Sequence, residues 1–268
     1  MQMPRMDDAR RVTSDVDLLG AWAPVSGFGV LAINAFVIHS REPVLVDTGL
    51  AVLRSQFLAA LERAIDPAAL RWIWITHADP DHVGNLEAVL QRAPQARVVT
   101  SFQGMGKLRL PMAAERLLLL NPGQRLDVGD RELLAVVPPT CDAPETTALF
   151  DTLGGSLFSA DCFGAVLPAP VADAAQIGMA VLRHGTELWD SMNAPWLARL
   201  DAAALSGSLD QIRQLSATTI LGSHLPPARA MTERLLQGVA EAAEAPHFVG
   251  PDQKALETMF ADVQPLAA

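Results

Sequence analysis

The stretch "RWIWITHADPDHVGN", Arg71 to Asn85, places two histidines and two aspartates within six residues, directly after an apolar run. Trp72 to Ile75 have the β-branched and aromatic character of a strand. The abrupt change at His77 marks its end. Imidazole nitrogen and carboxylate oxygen are the ligands that first-row divalent metals take. His77, Asp79 and Asp81 alternate along the loop and so can face one side, while His82 can join Asp81 on a second ion. Pro80 stiffens the turn, and Gly84 lets a following helix pack close. The plain alternative is an acidic surface turn with capping aspartates. Other parts of the chain decide between the two.

Working outward, the chain alternates strand and helix signals. Leu18 to Ile38 contains no charged residue over a membrane-spanning length. Pro24, Ser26, Gly27, Gly29 and Asn34 interrupt it, which predicts two buried strands joined by a hairpin turn at Gly27 and Gly29 rather than a transmembrane helix. "EPVLVDTGL" predicts a strand running into a turn at Asp47-Thr48-Gly49, and Val52, Leu53, Phe57, Leu61 and Ile65 recur at helical spacing. "NLEAVLQRAP" predicts a short helix capped by Asn85. "ARVVTS" and "GGSLFSADCF" predict strands, and "QRLDVGDRELLAVVPPT" a hairpin turning at Gly129-Asp130. Helical stretches are expected over Ala172–Leu188 and Pro195–Leu215, a last strand in "ATTILGSH", and one or two helices over Ala230–Ala268. Asp47, His77, Asp161 and His224 all follow strands, where α/β folds gather their chemistry.

Composition excludes some functions. The 268 residues are 50% hydrophobic and 19% charged, with 30 acidic against 20 basic side chains. A net charge of −10 without a Lys/Arg-rich run argues against nucleic acid as a partner. Two cysteines make no disulfide framework and suit a reducing, cytoplasmic setting. The N-terminus lacks the apolar core of a signal peptide. With no tyrosine in the chain, a tyrosyl acid or radical relay is excluded.

"INAFVI", "LVDTG", "THADPDHVGN", "LFSADCFG" and "LGSH" stand in the order found in the metallo-beta-lactamase superfamily, and the chain resembles it from about Val16 to Pro227. The resemblance implies an α/β, four-layer αββα sandwich with a dinuclear metal site along one edge. It implies a single metallo-beta-lactamase-like domain over 1–268, with a core over about 16–227 and a helical tail over 230–268. The loop is most similar to the diiron branch, comprising flavodiiron proteins and their stand-alone oxygen-binding relatives. Carried over, His77, Asp79 and Asp142 hold metal 1, and Asp81, His82 and His224 hold metal 2. Asp161 bridges the two, and Asp47 orients the ligand loop. In some relatives the residue matching His82 points away. This sequence departs from the branch at Asp79, where the branch has Glu, and at Asp142, in "CDAPET", where it has His. Four carboxylates balance two divalent cations, and an oxygen-rich donor set favours iron, or manganese, over zinc.

The resemblance implies a protein that binds or reduces oxygen or nitric oxide. The sequence leaves no stretch for a flavodoxin module, so reduction would draw on a separate electron donor such as a rubredoxin or flavoprotein. Relatives in the branch also suggest a homodimer. The alternative is hydrolysis of an ester, lactone, thioester or phosphodiester, with Asp81 orienting a hydroxide bridged beside Asp161. A second alternative is a degenerate site with one weak metal or none, Asp142 being a drifted residue. Cys141 and Cys162 adjoin proposed ligands; on a strand, Cys141 would face away from Asp142, and both are expected as small buried hydrophobes. His184 is expected to end a helix before Gly185. His39 and His247 carry no assigned role. Trp189 and Trp196 serve as substrate wall or as core.

Overall fold

Short strands buried on both faces set the layers. The computed structural model describes residues 3–108 and 113–261. One sheet contains β1 (Arg5–Met6), β2 (Arg10–Arg11), β3 (Val16–Val25), β4 (Gly29–Ile38), β5 (Val44–Val46), β6 (Trp72–Trp74), β7 (Arg97–Thr100) and β8 (Leu117–Leu119). Its order is β1-β3-β4-β5-β6-β7-β8, with β2 also on β3. The other contains β9 (Arg125–Asp127), β10 (Glu132–Val136), β11 (Ala148–Asp151), β12 (Ser156–Phe158), β13 (Thr219–Leu221) and β14 (Ala228–Arg229), in the order β14-β13-β12-β11-β10-β9. Helices α1 (Arg54–Ala64), α2 (Pro80–Val83), α3 (Leu86–Arg92) and α4 (Phe102–Leu108) precede the second sheet in the chain. Helices α5 (Met179–Asn193), α6 (Ala202–Gln214), α7 (Thr232–Ala242) and α8 (Gln253–Ala261) follow β12.

The pleat sends alternate residues to different cores. Phe36, Val46, Trp74 and Val99 meet Leu133, Leu149, Phe158 and Leu221 between the sheets. Their neighbours Val37, Leu45, Ile73 and Val98 turn outward onto Phe57 and Leu61 of α1 and Leu86 and Val89 of α3. On the other side Ala148, Leu157 and Ile220 pack under α5, α6 and α7. Helix, sheet, sheet, helix is the four-layer αββα sandwich of the metallo-beta-lactamase fold, as expected.

The charge-free run becomes the β3–β4 hairpin, turning with Gly27 at φ 81° and Gly29 at φ 135°. Among the described residues no helix is long and apolar enough to cross a membrane. Several expectations shift. The helix foreseen from Ala172 starts at Met179, because Asp173 caps a separate turn over Ala174–Gln176. It then runs through His184 and Gly185 to Asn193, so His184 is an exposed mid-helix residue and not a C-cap. Gly185 allows close packing instead: a Cβ there would lie 2.5 Å from the Val166 carbonyl. Helix α6 begins at Ala202, where the Asp201 carboxylate accepts from the amides of Ala203 and Ala204. Asn85 does not cap α3 through its side chain; it donates to the carbonyls of Thr48 and Leu50. Helix α4 and strands β8 and β11 lay outside the sequence expectation, being short and weakly periodic. The tail forms α7 and α8, and residues 262–268 of that expectation lie outside the described residues.

One buried cation ties the sheets together. Arg131, with its side chain 5% exposed, reaches Asp15 before β3, Asp151 of β11 at 3.0 Å and Asp130 at 3.1 Å. Removing it leaves Asp151, itself fully buried, without its counter-charge. Arg131→Ala should destabilise the fold by about 3 kcal/mol, read as a lower urea midpoint at unchanged slope.

Candidate metal centre

Three strands deliver a polar side chain by the same offset. His77 lies three residues past Trp74, Asp161 three past Phe158 and His224 three past Leu221, and each of those strand-end residues sits in the inter-sheet core. Strands β5 and β6 run parallel, as do β12 and β13, so within each pair the C-terminal ends share an edge. Asp47 follows β5 directly, in the left-handed region at φ 57°. Ala160 (φ 52°) and the buried Phe163 (φ 69°) flank the Asp161 turn. Left-handed backbone at residues with side chains is costly and persists where the surroundings impose it.

Hydrogen bonds fix the imidazoles. Asp47 accepts from the Thr76 amide at 2.9 Å and from the Thr76 hydroxyl at 2.8 Å. Its Oδ2 also lies 2.8 Å from His82 Nδ1. A carboxylate only accepts, so His82 carries its proton on Nδ1. The Thr76 hydroxyl, its proton given to Asp47, accepts in turn from His77 Nδ1 at 3.1 Å. His224 Nδ1 donates to the Ala32 carbonyl at 2.8 Å. All three rings therefore turn Nε2 toward the same place. Asp161 Oδ1 stands 3.1 Å from Nε2 of His82 and of His224 and 3.7 Å from that of His77. Yet Asp161 Oδ1 and Nε2 of His77 and His82 are buried without any hydrogen bond. Unsatisfied lone pairs facing one another are what a cation relieves.

Ligand atoms of three overlapping groups converge within 4.8 Å: His77, His82 and Asp161; Asp81, His82 and His224; His77, Asp79 and Asp142. All seven residues singled out in the sequence thus meet in one cluster, and the His82 ring turns toward it. The donor set fits a pair of divalent cations. The histidines and Asp161 are sealed, whereas Asp81 and Asp142 have side chains 22% and 25% exposed, so the open side is the carboxylate side.

Charge follows this arrangement. Burial alone would raise the Asp161 carboxyl, but His224 and His82 hold it well below the carboxylate range. Burial opposes charge on His82, yet Asp47 and Asp161 carry it well above the ordinary imidazole value. His77 is lowered by burial and by His82. Burial and the neighbouring Asp161 and Asp79 push Asp142 up to about 6. Lys107 of α4 stands 2.7 Å from the buried Glu145, in the loop that carries Asp142, and Asp79 and Asp142 add to its field.

Cys141 belongs to none of these groups. It lies in a loop and not on a strand, and its carbonyl accepts from the Trp196 indole at 2.8 Å. Cys162 is fully buried, and burial raises its thiol. His39 pairs with Asp17 at 2.7 Å, away from the cluster, and His247 is exposed. Thr76, Lys107, Glu145 and Asp190 lie outside the set of site residues that the sequence predicts. Asp190 sits among Leu182, Gly185, Thr186 and Trp189 on the buried stripe of α5, a lone carboxyl at core spacing.

A sequence profile described as "ODP family beta lactamase" matches residues 31–224. The type A flavoprotein fprA of Rhodobacter capsulatus is 34% identical over 136 residues, covering 49% of this chain and 31% of that protein. The matched stretch spans 23 to 31% of the length of such curated relatives. The rubredoxin oxygen:oxidoreductase of the anaerobe Desulfovibrio gigas superposes with a TM-score of 0.78 at 19% identity, covering 88% of this chain and 62% of that one. A variant of the flavo di-iron protein of Thermotoga maritima gives 0.77 at 20% identity, covering 91% and 62%.

Asp190 generates a test of these electrostatics. Its carboxyl is buried, and burial pushes it up to about 8, against a smaller lowering by the Thr140 hydroxyl. The folded value lies above the unfolded one, so this group's contribution is intact below about pH 4. It is then lost as pH rises toward 8. Wild-type stability should fall by a few kcal/mol across that window. Asp190→Asn should flatten that part of the profile in urea denaturation measured at several pH values.

Proposed function

The chain belongs to the ODP beta-lactamase family, and from that premise we propose that it is a diiron-type protein that binds or reduces oxygen or nitric oxide. The observation that carries the proposal is the convergence of three imidazole Nε2 atoms on one buried carboxylate oxygen. His77, Asp79 and Asp142 would hold one ion, Asp81, His82 and His224 the other, with Asp161 between them. Four carboxylates and three imidazoles favour iron or manganese over zinc, and the likeness to a flavo di-iron protein favours iron. The names of the neighbours, an oxygen oxidoreductase paired with rubredoxin and a flavo di-iron protein, support oxygen chemistry and an external electron-transfer partner. A homodimer and a cytoplasmic setting complete the reading.

Iron bound here would supply electrons and open coordination positions to a small diatomic. The chain's own residues then do three things. Asp47 and Thr76 lock His82 and His77 in the tautomer that faces the site. Trp189 and the core beneath it keep bulk water from the histidine side. Asp81 and Asp142, on the open side, are the first groups that an entering ligand meets.

Protein purified from iron-supplemented cells should carry about two metal ions per chain by elemental analysis, mostly iron. Anaerobic reduction followed by oxygen should change its absorption. Zinc alone, with no iron gained on reconstitution and a colourless, inert site, would sink the proposal. Asp47→Asn should weaken metal binding by about 10- to 100-fold, measured by chelator competition, because His82 loses the charge that orients it.

A further inference from the structure

Helix α5 lays one side chain against two of the proposed ligands at once. The Trp189 indole N–H donates to the Asp161 carbonyl at 3.0 Å, and its ring lies on that of His224, with centroids 4.5 Å apart and planes at 52°. Trp189 is buried, and space is kept for it: a Cβ on Gly164 would come within 2.4 Å of the indole nitrogen. His224 is otherwise held by its bond to the Ala32 carbonyl and by the His82 ring, which meets it edge-on at 5.6 Å between centroids, leaving the indole to cover another side of the ring. The indole face limits the tilt of the His224 ring. Its N–H meanwhile anchors the main chain of a turn held open by two left-handed residues, Ala160 and Phe163. Plain packing would use the ring alone; here the ring and the N–H act on two different ligands.

We propose that Trp189 is a positioning residue that holds Asp161 and His224 at their mutual spacing and so sets the affinity of the metal position shared by Asp81, His82 and His224. It does this without touching the metal, and the inference rests on the two-metal reading above. The position formed by His77, Asp79 and Asp142 shares only Asp161 with it and depends on Trp189 much less.

The test titrates metal-free, full-length protein with cobalt(II) in competition with a chelating indicator, following cobalt d–d absorption for each equivalent. Wild type should take up two equivalents. Trp189→Phe keeps a ring on His224 and loses the N–H; one equivalent should weaken by about tenfold, with altered d–d bands for that equivalent. Trp189→Leu should weaken the same equivalent further. Gly164→Ala, which displaces the indole without deleting it, should reproduce the effect. Far-UV circular dichroism and urea midpoints establish that each variant is folded. Should Trp189→Leu not fold, Trp189→Phe and Gly164→Ala carry the comparison. Unchanged affinities and spectra in the folded variants overturn the inference, as does equal weakening of both equivalents. A wild-type protein that takes up no cobalt sinks the two-metal reading itself.

Discussion

Three imidazoles that each give their Nδ1 proton outward must turn Nε2 inward, and they turn it onto a single oxygen of Asp161. Much else near the centre follows from that constraint. Each outward proton needs an acceptor, and these are Asp47, the Thr76 hydroxyl and the Ala32 carbonyl. Asp47 must reach both Thr76 and His82, and it does so from the left-handed region. Gly84 must be glycine, since a Cβ would strike the Ala51 amide nitrogen at 2.3 Å and the Gly49 carbonyl at 2.4 Å. Positive charge is what lets these atoms meet, whether it is a proton on the imidazoles or a bound cation.

The two unusual ligands fall together. Asp79 and Asp142 group with the buried His77, while the partly exposed Asp81 groups with the buried His82 and His224. Replacing an imidazole by a carboxylate at position 142 adds negative charge where burial, with Asp161 and Asp79, already raises the carboxyl to about 6. Lys107 lies within this field, paired to Glu145 three residues beyond Asp142. Carboxylate repulsion of this kind is tolerable where a cation is bound and costly where none is.

Much of this was legible in the sequence because the ligands follow strong strands. "RWIWIT", "SLFSAD" and "TILGSH" change from apolar to polar over a few residues, and such a break identifies a strand end whatever the tertiary context. Position 142 carries no such signal: it lies in an irregular loop and was reached through resemblance alone. The start of α5 was misplaced because Asp173 caps a turn that looks, in one dimension, like the first turn of the helix itself. Gly185 suggested a stop, whereas its missing Cβ serves a contact with Val166 from a distant segment. Asp190 escaped notice because an isolated aspartate among apolar residues reads as solvent-facing until the packing is known.

The shared offset of three residues between strand end and ligand makes insertions and deletions unequal across the chain. Side chains in a strand alternate with period two. One residue added within β6, β12 or β13 would swap the inter-sheet and outer cores and swing His77, Asp161 or His224 away from the centre. The helical segment between Asp161 and β13 is under no such parity. Length can change there between α5 and α6 without altering any strand's register. Variation in chain length among proteins of this architecture should therefore collect in that helical layer and stay out of the strands that carry the ligands.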